Sequence, residues 1–307
     1  MIVTRLLGGL GNQMFQYAAG LSLAEARRTV LKLDVSWYRN HEEFEAHNRY
    51  ALDCLNVSAQ FATREEVDRL KGFAVTRTER WSAVLASRLR LRRLAESLTS
   101  RGTSSGQSSP TSFDAGFGDL PDNSYLEGMW QSPRYFESIA GLLRLHFSFR
   151  YPPPPAVAEM AAQINAGPSA ALHLRRGDYE KNVTFKRAIG IVDLAYYHEA
   201  VRLILRRAPR TTFFIFSDEL DVIRRVFTPA APHVFVDVTE PWHAWDNLRL
   251  MSRCDHIAIA NSSFSWWAAW LNPSPDKLVI APDPWFAQPP PGGCDIMPND
   301  WHKLPAR

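Results

Sequence analysis

Apolar runs the length of a strand alternate with longer Ala- and Leu-rich stretches along most of this chain. Residues 2–7 read as a buried strand, and 14–24, rich in Ala and Leu, as a mostly buried helix. Residues 30–33 read as a second strand ending in Asp34, and 125–132 as a strand running into a polar, aromatic turn. Tyr135-Phe136 opens a helix through about Leu145. The second half is more regular. Strands are predicted at 170–174, 212–216, 234–238, 256–260 and 278–281, with helices near 195–207, 221–227, 242–253 and 264–271. Strand and helix alternating at this spacing predict an α/β fold with a parallel sheet and right-handed crossovers. The run Tyr151-Pro152-Pro153-Pro154-Pro155 is the strongest break, because stacked prolines stiffen the chain and exclude helix and inner strand. It divides the chain into 1–155 and 156–307, the second part starting on a helix at 156–165.

Composition narrows this picture. The 307 residues suffice for a large core or two domains, and 46% hydrophobic with 22% charged residues is ordinary for a globular chain. A net charge of +3 gives no reason to expect nucleic acid. Cys54, Cys254 and Cys294 are far apart without CxxC spacing, which argues against a zinc site or a disulfide framework and fits a reducing compartment. The N-terminus lacks a signal-peptide pattern, and no stretch approaches the roughly 20 apolar residues that span a bilayer. The expectation is a cytoplasmic protein. Residues 77–101 carry a basic helical pattern, with Arg88, Arg90, Arg92 and Arg93 beside Leu85, Leu89 and Leu94. That pattern is either a solvated helix face or a peripheral contact with an anionic membrane. Residues 99–112, rich in Ser, Gly and Thr, read as a mobile loop, and the proline-rich tail 282–307 as a surface wrap.

Candidate chemistry gathers where strands end, and a parallel sheet collects those ends at one edge. His173-Leu174-Arg175-Arg176-Gly177-Asp178 places two planar guanidinium forks at a strand end, with a glycine to let the chain turn. Such a pair suits the diphosphate of a nucleotide-sugar; the bland alternative is a surface pair bonded to Asp178. Ser217-Asp218-Glu219 ends the next strand, Asp218 being either a base or ribose reader or a helix cap. Asn261-Ser262-Ser263-Phe264-Ser265 leads into Trp266-Trp267, so serines and free N–H groups at a helix start could cradle a phosphate. Near the N-terminus, Gly8-Gly9-Leu10-Gly11-Asn12-Gln13 is a glycine loop between strand and helix. Met14 stands where the third glycine of a dinucleotide fingerprint belongs, and the amides Asn12 and Gln13 suit hydroxyls better than a pyrophosphate. There is no Asp-x-Asp motif and no P-loop, which disfavours a metal-bound diphosphate or an NTPase.

The stretch from Gly8 to Tyr17 resembles the opening of the bacterial α-1,2-fucosyltransferases of glycosyltransferase family 11. His173 to Tyr179, Phe216-Ser217-Asp218 and Ala260 to Trp267 resemble, in order, three signatures of the wider α-1,2/α-1,6/protein-O-fucosyltransferase group. Glu219 departs from the second Asp of many relatives. The resemblance implies a GT-B architecture of two Rossmann-like domains facing across a cleft, residues 1–155 on the acceptor side and 156–307 holding the nucleotide. It implies GDP-β-L-fucose as donor, inversion to an α-L-fucoside on a galactoside, and no metal or other cofactor. Carried over by position, Arg175 and Arg176 would hold the β-phosphate. His173, Ser217, Asp218, Asn261, Ser262, Ser263 and Phe264 would surround the donor, and Gly11, Asn12 and Gln13 would face donor sugar and acceptor. Asp178 and Glu180, with Glu127 third, are the candidate acceptor bases, although Asp178 could instead orient an arginine. The alternatives are another linkage or GDP-sugar on the same fold, or a non-catalytic nucleotide-sugar-binding module.

Overall fold

The computed structural model describes residues 1–39, 49–58, 60–71, 103–106, 111–177, 187–238, 243–288, 290 and 292–307. The chain is α/β, built on two parallel sheets, the GT-B arrangement expected above. The first sheet contains β1 (Ile2–Arg5), β2 (Leu31–Asp34), β3 (Gln60–Phe61), β4 (Thr103–Gly106) and β5 (Ser124–Glu127), in the order β3-β2-β1-β5-β4. Helix α1 (Leu10–Arg27) crosses from β1 to β2 and is buried nearly all round to Ala24, as its Ala/Leu composition predicts; Arg28 stops it in the left-handed region at φ 51°. Helix α2 (Arg64–Leu70) begins with a full capping box, Thr63 and Glu66 bonding each other's backbone N–H.

Residues 133–139 form two short 3-10 turns rather than the start of a helix, and only α3 (Ala140–His146) is α-helical. Pro133 starts the first turn, and Phe136 leaves helical geometry at φ −138° so that its ring stacks on Trp267, centroids 5.3 Å apart. A second departure is β4, which lies inside the stretch read as a mobile loop. Its weak strand residues are held by backbone pairing with β5, from Thr103↔Ser124 to Gly106↔Glu127. The basic segment 77–101 lies outside the described residues.

After the prolines, α4 (Pro155–Asn165) leads to β6 (Ser169–Leu174), buried along its whole length. Then follow α5 (Leu194–Arg207), β7 (Thr212–Ser217), α6 (Leu220–Val226), β8 (His233–Phe235), α7 (Trp245–Met251), β9 (His256–Ala258), α8 (Ser263–Leu271) and β10 (Val279–Asp283). The tail does more than wrap: it adds β11 (His302–Pro305) in parallel to β10, giving the order β11-β10-β9-β6-β7-β8. Just before that strand, Asp295 donates its N–H to Thr111 O (2.7 Å) and accepts from Phe113 N (2.9 Å), which latches the tail onto the first half.

One apolar cluster runs through both sheets. Its centre is α8, whose Trp266 and Trp267 rings lie 4.6 and 4.9 Å from Phe15 of α1. Both indole N–H groups are satisfied, Trp266 by Ile296 O (2.7 Å) and Trp267 by Gly11 O (3.0 Å). The aromatic run after the serines is therefore the joint between the halves.

Candidate functional site

Each sheet reverses its strand order once, and a crevice forms at the carboxyl ends of the strands flanking such a point. In the second sheet the chain leaves β6 for β7 and β8, then returns to the other side of β6 as β9. The loop after β6 carries Arg175 and Arg176, and the loop after β9 carries Asn261 and Ser262, with Ser263 opening α8. The His173 ring, at the end of β6, lies 6.2 Å from the Phe264 ring in the first turn of α8. The structure thus brings together the arginine loop and the serine-led helix start that the sequence suggested.

Asp218, at the end of β7, organises the arginine loop. Its carboxylate accepts from Arg176 N (2.9 Å) and pairs with Arg175 Nε (3.1 Å), in a site where both side chains are largely covered. Asp218 is not the cap of the following helix, whose N-cap is Glu219: it fixes the backbone of one arginine and the guanidinium of the other. Gly177 also has a different role from the one expected. A Cβ there would lie 2.6 Å from Asp218 Oδ2, so the missing side chain makes room for this carboxylate. Ser217 Oγ accepts from Glu219 N (3.0 Å), which shapes the same turn.

On the other side of the crevice, Ser262 occupies the N-cap of α8, but its side chain makes no cap hydrogen bond to the helix. The first-turn N–H groups consequently keep the positive end of the helix uncapped by that side chain. Against this helix start lies another. Gly11, in the first turn of α1, packs on the backbone of Ser263 and Phe264, and Asn12 Oδ1 accepts from Ser263 Oγ (2.8 Å) and Gln131 Nε2 (2.9 Å). Two helix N-termini, one from each sheet, therefore converge beside two arginines. Such an assembly is built to receive negative charge. Gln131 escaped sequence reasoning; its only signal was a polar residue in an aromatic turn after β5.

Other expected site residues are placed elsewhere. Gln13 is fully buried, and its amide donates to Gly8 O (2.9 Å) and Arg49 O (2.8 Å) and accepts from Ala51 N (2.9 Å). It holds loops together and does not face a sugar. Asn261 is buried too, and its amide nitrogen donates to Ile189 O, Gly190 O and Trp285 O at 3.1–3.2 Å, pinning those loops. Glu127, at the carboxyl end of β5, forms an ion pair with Arg5 at the end of β1. Asp178 and Glu180 lie outside the described residues. Among the described residues no helix is long and apolar enough to cross a membrane.

His173 is buried with its Nδ1 unpartnered, and its backbone carbonyl accepts from Tyr197 OH (2.8 Å). Burial, with Arg175 adding repulsion, pushes its imidazole down to about 3. The unfolded chain takes up this proton near the ordinary value of about 6.5 and the folded chain does not. The contribution is complete above that pH and is lost as pH falls from about 6.5 towards about 3. His173→Gln should flatten the acid limb of the stability curve in that window, by up to about 1.4 kcal/mol per pH unit relative to the parent. Urea unfolding across pH would read it; parallel curves for parent and variant would contradict a buried neutral imidazole.

The sequence matches the family described as Glycosyl transferase family 11 over residues 1–302. It is 31% identical over 314 aligned residues to an alpha-1,2-colitosyltransferase from Escherichia coli, covering 99% of each chain. It is 28% identical to the O-antigen biosynthesis glycosyltransferase WbnK, also from Escherichia coli, over 92% of this chain and 94% of that one. Among solved structures, the NodZ alpha-1,6-fucosyltransferase soaked with GDP-fucose is similar at 16% identity and a TM-score of 0.44, over 92% of this chain and 94% of that one. The chain belongs to glycosyltransferase family 11.

Proposed function

We propose that this glycosyltransferase moves L-fucose from GDP-β-L-fucose to the 2-hydroxyl of a β-galactoside, with inversion and without a metal, in the cytoplasm. The observation that carries the reading is the convergence of the α1 and α8 N-termini beside the Arg175–Arg176 loop. The donor diphosphate gains negative charge as the glycosidic bond breaks. Guanidiniums and helix-start N–H groups held in place beforehand stabilise that charge in the transition state. Asp218 supplies the preorganisation by holding both arginines. Abstraction of the acceptor proton falls to Asp178 or Glu180 by position, since Glu127 is engaged with Arg5. The basic stretch 77–101 would serve as a peripheral contact where the acceptor is membrane-borne.

A second reading concerns the donor. The 31% identical relative is named for colitose, which is fucose without its 3-hydroxyl. A site built to bond that hydroxyl rejects the deoxy sugar strongly, whereas an apolar pocket accepts both with small discrimination. The test is GDP release from GDP-fucose and from GDP-colitose, with a panel of β-galactosides, in EDTA, followed by NMR of the product linkage. Acceptor-dependent release with GDP-fucose and an α-1,2 product is the expected result. Preference for GDP-colitose would move the donor assignment, and a requirement for added metal would overturn the metal-free reading. GDP binding without release for any acceptor would reduce the chain to a binding module.

A further inference from the structure

A cavity of about 640 Å³ opens at the amino edge of the second sheet, at the end opposite the crevice described above. Its walls are the strap that joins the two halves, with Arg150, Tyr151 and Pro152, and the end of α7, with Arg249 and Arg253. Asn165 at the end of α4 completes it. Both helices run there into the starts of β6 and β9, which places the cavity far along the sheet from Arg175.

The charge of this cavity is one-sided. Three arginines line it and, among the described residues, no carboxylate does. Asp246 pairs with Arg249 from behind (3.1 Å), which leaves two positive charges over. Arg249 is buried: it donates to Tyr151 O (2.7 Å), holds Asp246 through its Nε and lies 4.5 Å over the Phe149 ring. Arg150 donates to Val57 O (3.2 Å), a neutral partner. Arg253 has no ion pair or side-chain hydrogen bond among the described residues and faces the same space as Arg249, whose guanidinium it disfavours by repulsion. Arginines that merely capped helix ends would each be bound to a carbonyl, and Arg253 is not. Like charges crowded on an apolar floor of prolines, Tyr151 and Phe149 are costly unless an anion joins them.

We propose that this cavity is a binding site for a phosphate-class dianion, held between Arg150 of the strap and Arg249 and Arg253 of α7 and its exit. A dianion balances the two surplus charges, and guanidinium forks match its oxygens. The bound group would tie the strap to the second half. It stabilises the fold by mass action and acts independently of the strand-end crevice. The anion is either a free phosphate or phosphomonoester, or the headgroup of a lipid.

The test is thermal unfolding in inorganic phosphate against chloride at matched ionic strength, with GDP present to occupy the other anion site. The parent and Arg175→Gln should both show a phosphate-specific rise in Tm. Arg253→Gln should weaken the apparent phosphate affinity at least tenfold, and Arg150→Gln should weaken it as well. Arg253 is exposed, so its variant folds. No phosphate-specific rise in the parent, or an unchanged rise in Arg253→Gln, overturns the site. Sedimentation with phosphatidylcholine vesicles carrying phosphatidic acid separates the sources. Vesicle binding that phosphate displaces and Arg253→Gln loses identifies a headgroup. A phosphate response without vesicle binding identifies a soluble anion, with glucose 1-phosphate as the phosphomonoester probe.

Discussion

Arg175→Ala should lower the rate of sugar transfer by about two to three orders of magnitude, the cost of removing one preorganised donor from a developing oxyanion. The loss should appear in kcat more than in KM, because the charge on the leaving diphosphate grows only as the bond breaks. Arg176→Ala should behave similarly. Asp218→Asn should fall between parent and arginine variants for a geometric reason. An asparagine oxygen can still accept from Arg176 N, but its amide then turns two N–H donors towards Arg175 Nε, where the carboxylate now stands at 3.1 Å. Arg175 is displaced while Arg176 stays. The measurement is GDP release under saturating donor and acceptor, with stability followed separately by urea unfolding. Near-normal kcat in both arginine variants would remove the crevice from the mechanism.

That crevice was half legible in the sequence. The strand–helix alternation of the second half placed β6, β7 and β9 within a few residues, because short apolar runs bounded by polar ends leave little freedom. It followed that the arginine loop and the serine-led helix would share an edge. The partners were not legible. Asp218 could be written as a cap or a ligand reader, and a single sequence carries no term for a contact to the loop after a neighbouring strand. Gln13 shows the same limit more sharply. An amide in a helix's first turn looks alike whether it faces solvent or carbonyls, and its partners Arg49 and Ala51 lie in a loop far along the chain. The tail strand and β4 were missed because backbone pairing, not side-chain preference, holds them in their sheets.

The glycine loop of the N-terminus gives the second large expectation, and its reason is packing rather than ligand approach. Gly8 makes the turn, at φ 74°, while Gly11 sits where α1 crosses α8. A Cβ at Gly11 would stand 2.6 Å from Phe264 N and from Ser263 C, and 2.8 Å from Ser263 O. These are backbone atoms, so no rotamer change relieves the overlap, and the two helices must part. Parting them stretches the bonds from Asn12 to Ser263 and from Trp267 to Gly11 O, and loosens Phe15 against Trp267. Gly11→Ala should therefore destabilise by about 1–3 kcal/mol, the usual range for overpacking a tight core. Activity should fall further than stability, because the displaced element is the helix start proposed to hold the diphosphate. Gly141 supplies the control. It lies in α3 with nothing near an added Cβ, so Gly141→Ala should stabilise by about 0.5–1 kcal/mol through helix propensity alone. Urea midpoints followed by tryptophan fluorescence would read both. Equal, small effects at the two glycines would show that the halves are not held at this crossing.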